Sequence, residues 1–195
     1  GFVSRGLGDV YKRQVYHSAT SSTPADDFLK LNADSAVGSS TSYGNNTAPT
    51  TSVFSVGAND NTNKSSEGQI AYCFAEKQGY SKFGSYTGNG NADGTFVYTG
   101  FKPAWVMVKE SSGTSDWSMY DNKREPFNVA DSTLEANTGD AEAVVSGRPI
   151  DILSNGFKLR GDSSYTNESG ATYIYMAFAE NPFVTAGTKA AGTAR

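Results

Sequence analysis

The residues best suited to ligand chemistry in this sequence are Tyr86, Trp117, Tyr120 and Asp121. The negative face of an aromatic ring accepts the polarised C–H bonds of a sugar ring. A neighbouring carboxylate can accept bonds from sugar hydroxyls. These four form the candidate glycan-binding set, and Tyr98 and Tyr165 are aromatics of the same kind. Burial in a core is the competing role for Trp117 and Tyr120, and for Trp117 it is the favoured one. Catalytic groups are scarce, because the chain has one His and one Cys. That excludes an internal disulfide and a Cys/His zinc site. His17 is read as a solvated loop or strand-edge residue. Cys73 is read as a small core side chain. Glu76 and Glu180 close equivalent strands in two copies of a repeat, so each is given a structural role rather than half of an acid–base pair. Asn59, Asp60, Asn61, Asn63 and Glu67 make an oxygen-rich loop whose spacing is not that of an EF-hand; an Asx-rich turn is the simpler reading. No catalytic residue, metal or cofactor is expected.

The segments that carry these residues read as strands. Hydrophobic residues make up 37% and charged residues 18% of the 195, with 21 Gly and 11 Tyr. That balance suits an all-β protein with many turns. Net charge is −4 with no Lys/Arg run, so a nucleic-acid surface is not expected. The longest apolar runs are far too short to span a bilayer, and residues 1–14 lack the apolar stretch of a signal peptide.

Internal similarity organises the chain. Ile70-Ala71-Tyr72-Cys73-Phe74-Ala75-Glu76 resembles Ile174-Tyr175-Met176-Ala177-Phe178-Ala179-Glu180 at an offset of 104 residues. Asn63 matches Asn167, and Val15-Tyr16-His17 matches Met119-Tyr120-Asp121, at the same offset. Phe54-Ser55-Val56 and Leu29-Lys30-Leu31-Asn32 match Phe157-Lys158-Leu159 and Leu134-Glu135-Ala136-Asn137 with offsets differing by one. Cys73 thus corresponds to Ala177, and His17 to Asp121. The counterpart of Trp117 is Arg13, where the similarity stops. The first copy therefore has no room for counterparts of residues 80–117. Residues 6–14 resemble a translated sequencing adapter, and residues 1–14 are set aside as non-native or disordered. The expected divisions are a truncated first repeat over 15–79, a complete second repeat over 80–183 and a flexible tail over 184–195.

Residues 171–180 alternate Tyr173, Tyr175, Ala177 and Ala179 against Ile174, Met176 and Phe178. Both faces are apolar, as in a central strand buried on both sides. Residues 104–109 read as a second buried strand and 95–99 as a shorter one. Asn155-Gly156 reads as a turn before a strand at 157–160. Residues 131–143 are read as one short helix. The expected fold is an all-β sandwich or jelly roll, with one complete repeat and one truncated one.

The repeat blocks, together with residues 79–90, 100–106 and 153–160, resemble a domain of unknown function. That domain is common in marine bacteriophage and metagenome proteins of the tail-fibre kind, where it often occurs in tandem. The resemblance covers about residues 15–183. It implies a tail-fibre or tail-associated structural module that takes part in recognising host-surface glycans, located in the virion and outside the host cell. Implied partners are other copies of the chain, other virion proteins and a host-surface polysaccharide, with neither nucleic acid nor membrane insertion. The alternatives are a purely structural virion module or a bacterial surface adhesin. A polysaccharide-degrading enzyme is the least favoured reading.

Overall fold

A computed structural model describes the backbone of residues 2–5 and all of residues 13–181. Most of the adapter-like segment and the whole 184–195 tail lie outside the described residues. The fold is an all-β sandwich, with three antiparallel sheets in layers. The first sheet holds β1 (Phe2–Arg5), β2 (Gln14–His17), β3 (Asp27–Lys30), β4 (Gly38–Ser39) and β5 (Ala71–Phe74), in the order β4-β3-β2-β1-β5. The middle sheet holds β6 (Ser81–Thr87), β8 (Pro103–Glu110), β9 (Ser118–Asp121), β10 (Ser132–Glu135), β11 (Ala143–Val144) and β14 (Thr172–Ala179), in the order β11-β10-β9-β8-β14-β6. The third is built from β7 (Phe96–Tyr98), β12 (Ile150–Leu153) and β13 (Gly156–Leu159), in the order β12-β13-β7. Two single-turn helices, α1 (Thr41–Gly44) and α2 (Asp60–Asn63), lie between β4 and β5. No helix among the described residues is long and apolar enough to cross a membrane.

Strand alternation explains the layering, because successive side chains point to opposite faces. Tyr173, Tyr175 and Ala177 of β14 join Val106 and Val108 of β8 and Tyr120 of β9 in one core. The third sheet covers that core with Val97, Ile150, Ile152, Phe157 and Leu159. Ile174 and Met176 point the other way, with Met107, Trp117 and Phe83, and meet Val15 and Leu29 of the first sheet. The middle sheet therefore has a core on each face, as the two-sided apolar pattern of residues 171–180 predicts.

The two halves share a strand order and many individual bonds. The Arg13 N–H donates to Asn32 Oδ1 at 3.1 Å, and the Trp117 N–H donates to Asn137 Oδ1 at 2.9 Å. Asn63 Nδ2 donates to the Gly57 carbonyl at 3.0 Å, and Asn167 Nδ2 to the Gly161 carbonyl at 2.8 Å. Val3 of β1 pairs with Tyr16 and Cys73, as Val106 of β8 pairs with Tyr120 and Ala177. Phe2–Arg5 thus stands where β8 stands in the second half, although the sequence reading set it aside with residues 1–14. The resemblance to an adapter covered the turn-rich segment that follows it, and a four-residue strand is too short to recognise from its own pattern. Among the described residues, the first half has no strand corresponding to β6 or to any strand of the third sheet. The helix expected over 131–143 is instead the pair β10 and β11: Leu134 pairs with Met119, and this cross-strand bonding overrides a weak helical pattern.

Asn167 is the clearest polar keystone. It is fully buried, and its amide also donates to Asn89 Oδ1 and the Asn91 carbonyl at 3.0 and 2.9 Å. Its Oδ1 accepts from the Asn89 N–H at 3.0 Å. Replacing it with Ala removes these bonds from the loop and leaves the buried Gly161 carbonyl without its donor, and we expect a loss of about 2–3 kcal/mol of unfolding free energy in urea titration. A change under about 0.5 kcal/mol would show that the 88–94 loop does not depend on this side chain.

Candidate functional site

The expected glycan-binding set does not form a surface. Trp117 is 1% exposed, Tyr120 0% and Tyr86 8%, so none offers a ring face to a sugar. Trp117 lies between the first two sheets, its Nε1–H donating to the Lys30 and Ala33 carbonyls at 3.0 and 3.3 Å. The Tyr120 hydroxyl donates to the Arg148 carbonyl at 2.7 Å, and the Tyr86 hydroxyl to the Thr166 carbonyl at 2.6 Å. Desolvation raises both phenols above their ordinary pKa. Asp121 is half-buried and bonded to the Arg124 side chain and to the N–H groups of Lys123 and Arg124, closing the turn after β9. All four residues are occupied in packing or turn formation. Tyr165 lies under the Arg148 guanidinium, 3.5 Å from its ring centre.

Two other assignments change. His17 is 1% exposed rather than solvated. Its Nε2–H donates to the Tyr175 carbonyl at 3.1 Å, and its Nδ1 accepts from the Ala19 N–H at 3.1 Å. The second contact has the geometry of Asp121 with Lys123 one repeat later, so both side chains cap equivalent turns. Burial pushes the imidazole down to about 4. Cys73 is exposed, not core. Its counterpart Ala177 lies in a strand flanked on both sides, whereas β5 is the last strand of its sheet among the described residues.

The remaining sequence candidates have structural partners. Glu76 pairs with Lys82 at 2.7 Å, and Glu180 with Lys102 at 2.8 Å. Asn59 Oδ1 caps α2 through the Asn61 N–H, and Glu67 pairs with Lys64 at 2.6 Å. Lys109 is fully buried and donates to the Glu110 and Gly113 carbonyls; desolvation lowers its ammonium to about 8 against the opposing charges of Glu110, Asp34 and Asp116.

An exposed aromatic surface does exist, on the outer face of the third sheet. The β12–β13 hairpin turns through Ser154 and Asn155 and pairs Leu153 with Gly156. Its inward residues Ile150, Ile152, Phe157 and Leu159 anchor it to the core. β7 pairs with β13 and buries Val97, so Phe96 and Tyr98 point outward, 43% and 63% exposed. Two strand rises set them about 6.6 Å apart. Gly156 permits this approach, since a Cβ there would fall 2.1 Å from the Val97 carbonyl oxygen and 3.1 Å from the Phe96 ring. Phe96 pairs across the sheet with Lys158, and Lys158 with Asp151. Asp93 bonds Lys158, which holds its carboxyl below the usual carboxylate range. Arg160 lies 3.9 Å from Asp93 and 3.4 Å from Asp151. Two adjacent rings thus sit beside paired basic and acidic groups, an arrangement able to stack a ring and bond its hydroxyls. The sequence signal for it was the alternation of residues 95–99, with Phe96 and Tyr98 in phase and the buried Val97 out of phase.

A family model described as a domain of unknown function, DUF7483, matches residues 3–182. The chain belongs to the DUF7483 family. The DUF7483 match runs unbroken across both repeat halves and includes most of β1. No curated protein and no solved structure matches the chain.

Proposed function

We propose that this DUF7483 chain is a structural module of a tail-fibre-like protein and that it contacts host-surface glycans through the outer face of the third sheet. The observation that carries the reading is the pair Phe96 and Tyr98, exposed on one rigid strand beside Asp93, Asp151, Lys158 and Arg160. Three sheets and two apolar cores give the stiffness a fibre module needs. The other buried aromatics and carboxylates already have intramolecular partners, which favours a binding or spacing role over hydrolysis. Repetition of such modules along a fibre would convert weak sugar contacts into avidity.

The test is a bacterial glycan array probed with the whole chain in multivalent form, beside the double variant Phe96→Ala/Tyr98→Ala. Both side chains face outward, so the variant should keep its circular dichroism spectrum while binding falls about tenfold or more, the equivalent of about 1.4 kcal/mol. Binding that survives the substitution would remove this face from the proposal. No binding by the well-folded chain would favour a purely structural virion module.

A further inference from the structure

The charges beside Phe96 and Tyr98 balance, and that balance narrows what the outer face of the third sheet can bind. Two cations, Lys158 and Arg160, stand against two carboxylates, Asp93 and Asp151. Lys158 bonds Asp93 Oδ1, Arg160 Nη1 lies 3.9 Å from the same oxygen, and Arg160 Nε lies 3.4 Å from Asp151 Oδ2. Each cation therefore already faces a carboxylate. The chain as a whole carries a net charge of −4, so no overall positive field draws a polyanion toward it. An arriving carboxylate or sulfate would have to displace Asp93 or Asp151 from its cation and would meet that displaced like charge, which is how an interface rejects a ligand. A hydroxyl group meets neither obstacle, because it donates and accepts at once. The cluster offers it both kinds of partner. The ion pairs engage one oxygen of each carboxylate and leave the other, and they engage Nε and Nη1 of Arg160 and leave Nη2. Phe96 is the cross-strand neighbour of Lys158, and its ring leans across Gly156, where no side chain stands in the way. The apolar platform and the charge-balanced cluster thus adjoin.

We infer that this face selects neutral, hydroxyl-rich saccharides and rejects acidic ones that carry uronate, sulfate or phosphate groups. The inference rests on the glycan-binding reading of the third sheet and adds the class of ligand. The rings of Phe96 and Tyr98 take the C–H face of a sugar. The second oxygens of Asp93 and Asp151 accept from its hydroxyls, and the Arg160 guanidinium donates to them, as charge-assisted bonds. Pairing the charges within the protein keeps these strong hydrogen-bonding groups at the surface while presenting no net charge to the ligand.

The test probes an array of neutral and acidic bacterial glycans with the whole chain in multivalent form, at about 50 mM and about 500 mM NaCl, a range over which screening of exposed charges becomes strong. The glycans bound should be neutral, and their binding should change by less than about twofold between the two salt concentrations, since no net charge is neutralised. The companion variant is Asp93→Asn, which leaves two cations against one carboxylate. The Asp93 side chain is 81% exposed, and the loop bonds at this residue use its main-chain N–H and carbonyl, so the circular dichroism spectrum should be unchanged. Binding of neutral glycans should fall about fivefold with loss of the charged acceptor. Acidic glycans should now bind, with an affinity that drops about tenfold across the same salt range. A parent chain that prefers acidic glycans, with steep salt dependence, would overturn the selection by charge and leave the glycan-binding reading standing. So would neutral binding that Asp93→Asn does not alter. A folded chain that binds neither class would overturn both.

Discussion

Replacing Trp117 with alanine should lower the unfolding free energy by about 3–5 kcal/mol, the range for deleting a large buried aromatic. The side chain is 1% exposed and packs with Val15 and Leu29 of the first sheet and Met107 and Ile174 of the middle one. Its indole N–H also bonds two first-half carbonyls, Lys30 and Ala33. The substitution therefore opens a cavity and removes a polar tie between the two halves. For a chain of this size the melting temperature should fall by about 10 °C. Trp117→Phe keeps most of the apolar contact but removes the donor, so about 1–2 kcal/mol is expected. Urea titration followed by circular dichroism measures both. An alanine variant within about 0.5 kcal/mol of the parent would mean that the two halves are not joined through this residue.

Stability should also fall by about 3 kcal/mol between pH 6.5 and pH 4 through His17 alone. The imidazole titrates near 6.5 in the unfolded chain and is pushed down to about 4 in the folded one. In that window the unfolded chain binds the extra proton, so acidification favours unfolding, while above 6.5 the contribution is complete. The structural cause is specific. Neutral His17, protonated on Nε2, satisfies both the Tyr175 carbonyl and the Ala19 N–H. A second proton on Nδ1 would take the place of the Ala19 bond inside a buried site. Other carboxylates titrate as well, so the useful quantity is the difference from His17→Asn, which can retain the turn-capping acceptor but does not titrate. The stability advantage of the parent over the variant should shrink by about 3 kcal/mol as pH falls from 6.5 to 4. A difference that stays constant across those pH values would contradict a buried neutral histidine.

Residue types and their spacing were enough for the all-β class, the two-sided burial of residues 171–180 and the correspondence of residues between the two halves. These are local or self-referential signals: alternation reports how many faces of a strand are apolar, and similarity reports which positions share an environment. Arg13, where the sequence similarity to Trp117 stops, nonetheless makes the same main-chain bond to an asparagine as Trp117 does, so the correspondence of the backbone extends past that of the residues. Which aromatics are exposed follows from how the sheets stack. Tyr86, Trp117 and Tyr120 look like Phe96 and Tyr98 in isolation, but a third sheet lies over the face that carries Tyr86 and Tyr120, and the first sheet lies over Trp117. Phe96 and Tyr98 lie on the outside of that third sheet. Cys73 and His17 show the same limit in opposite senses. Cys73 shares its sequence block with buried Ala177 yet is exposed, because burial of a strand depends on the neighbour it pairs with, and among the described residues no strand flanks β5 where β6 flanks β14. His17 shares its place with half-buried Asp121 yet is fully enclosed, because its ring reaches the Tyr175 carbonyl of the middle sheet while Asp121 turns to the partly exposed Arg124. Strand patterns encode faces; only the stacking of layers and the completion of edges settle what each face meets.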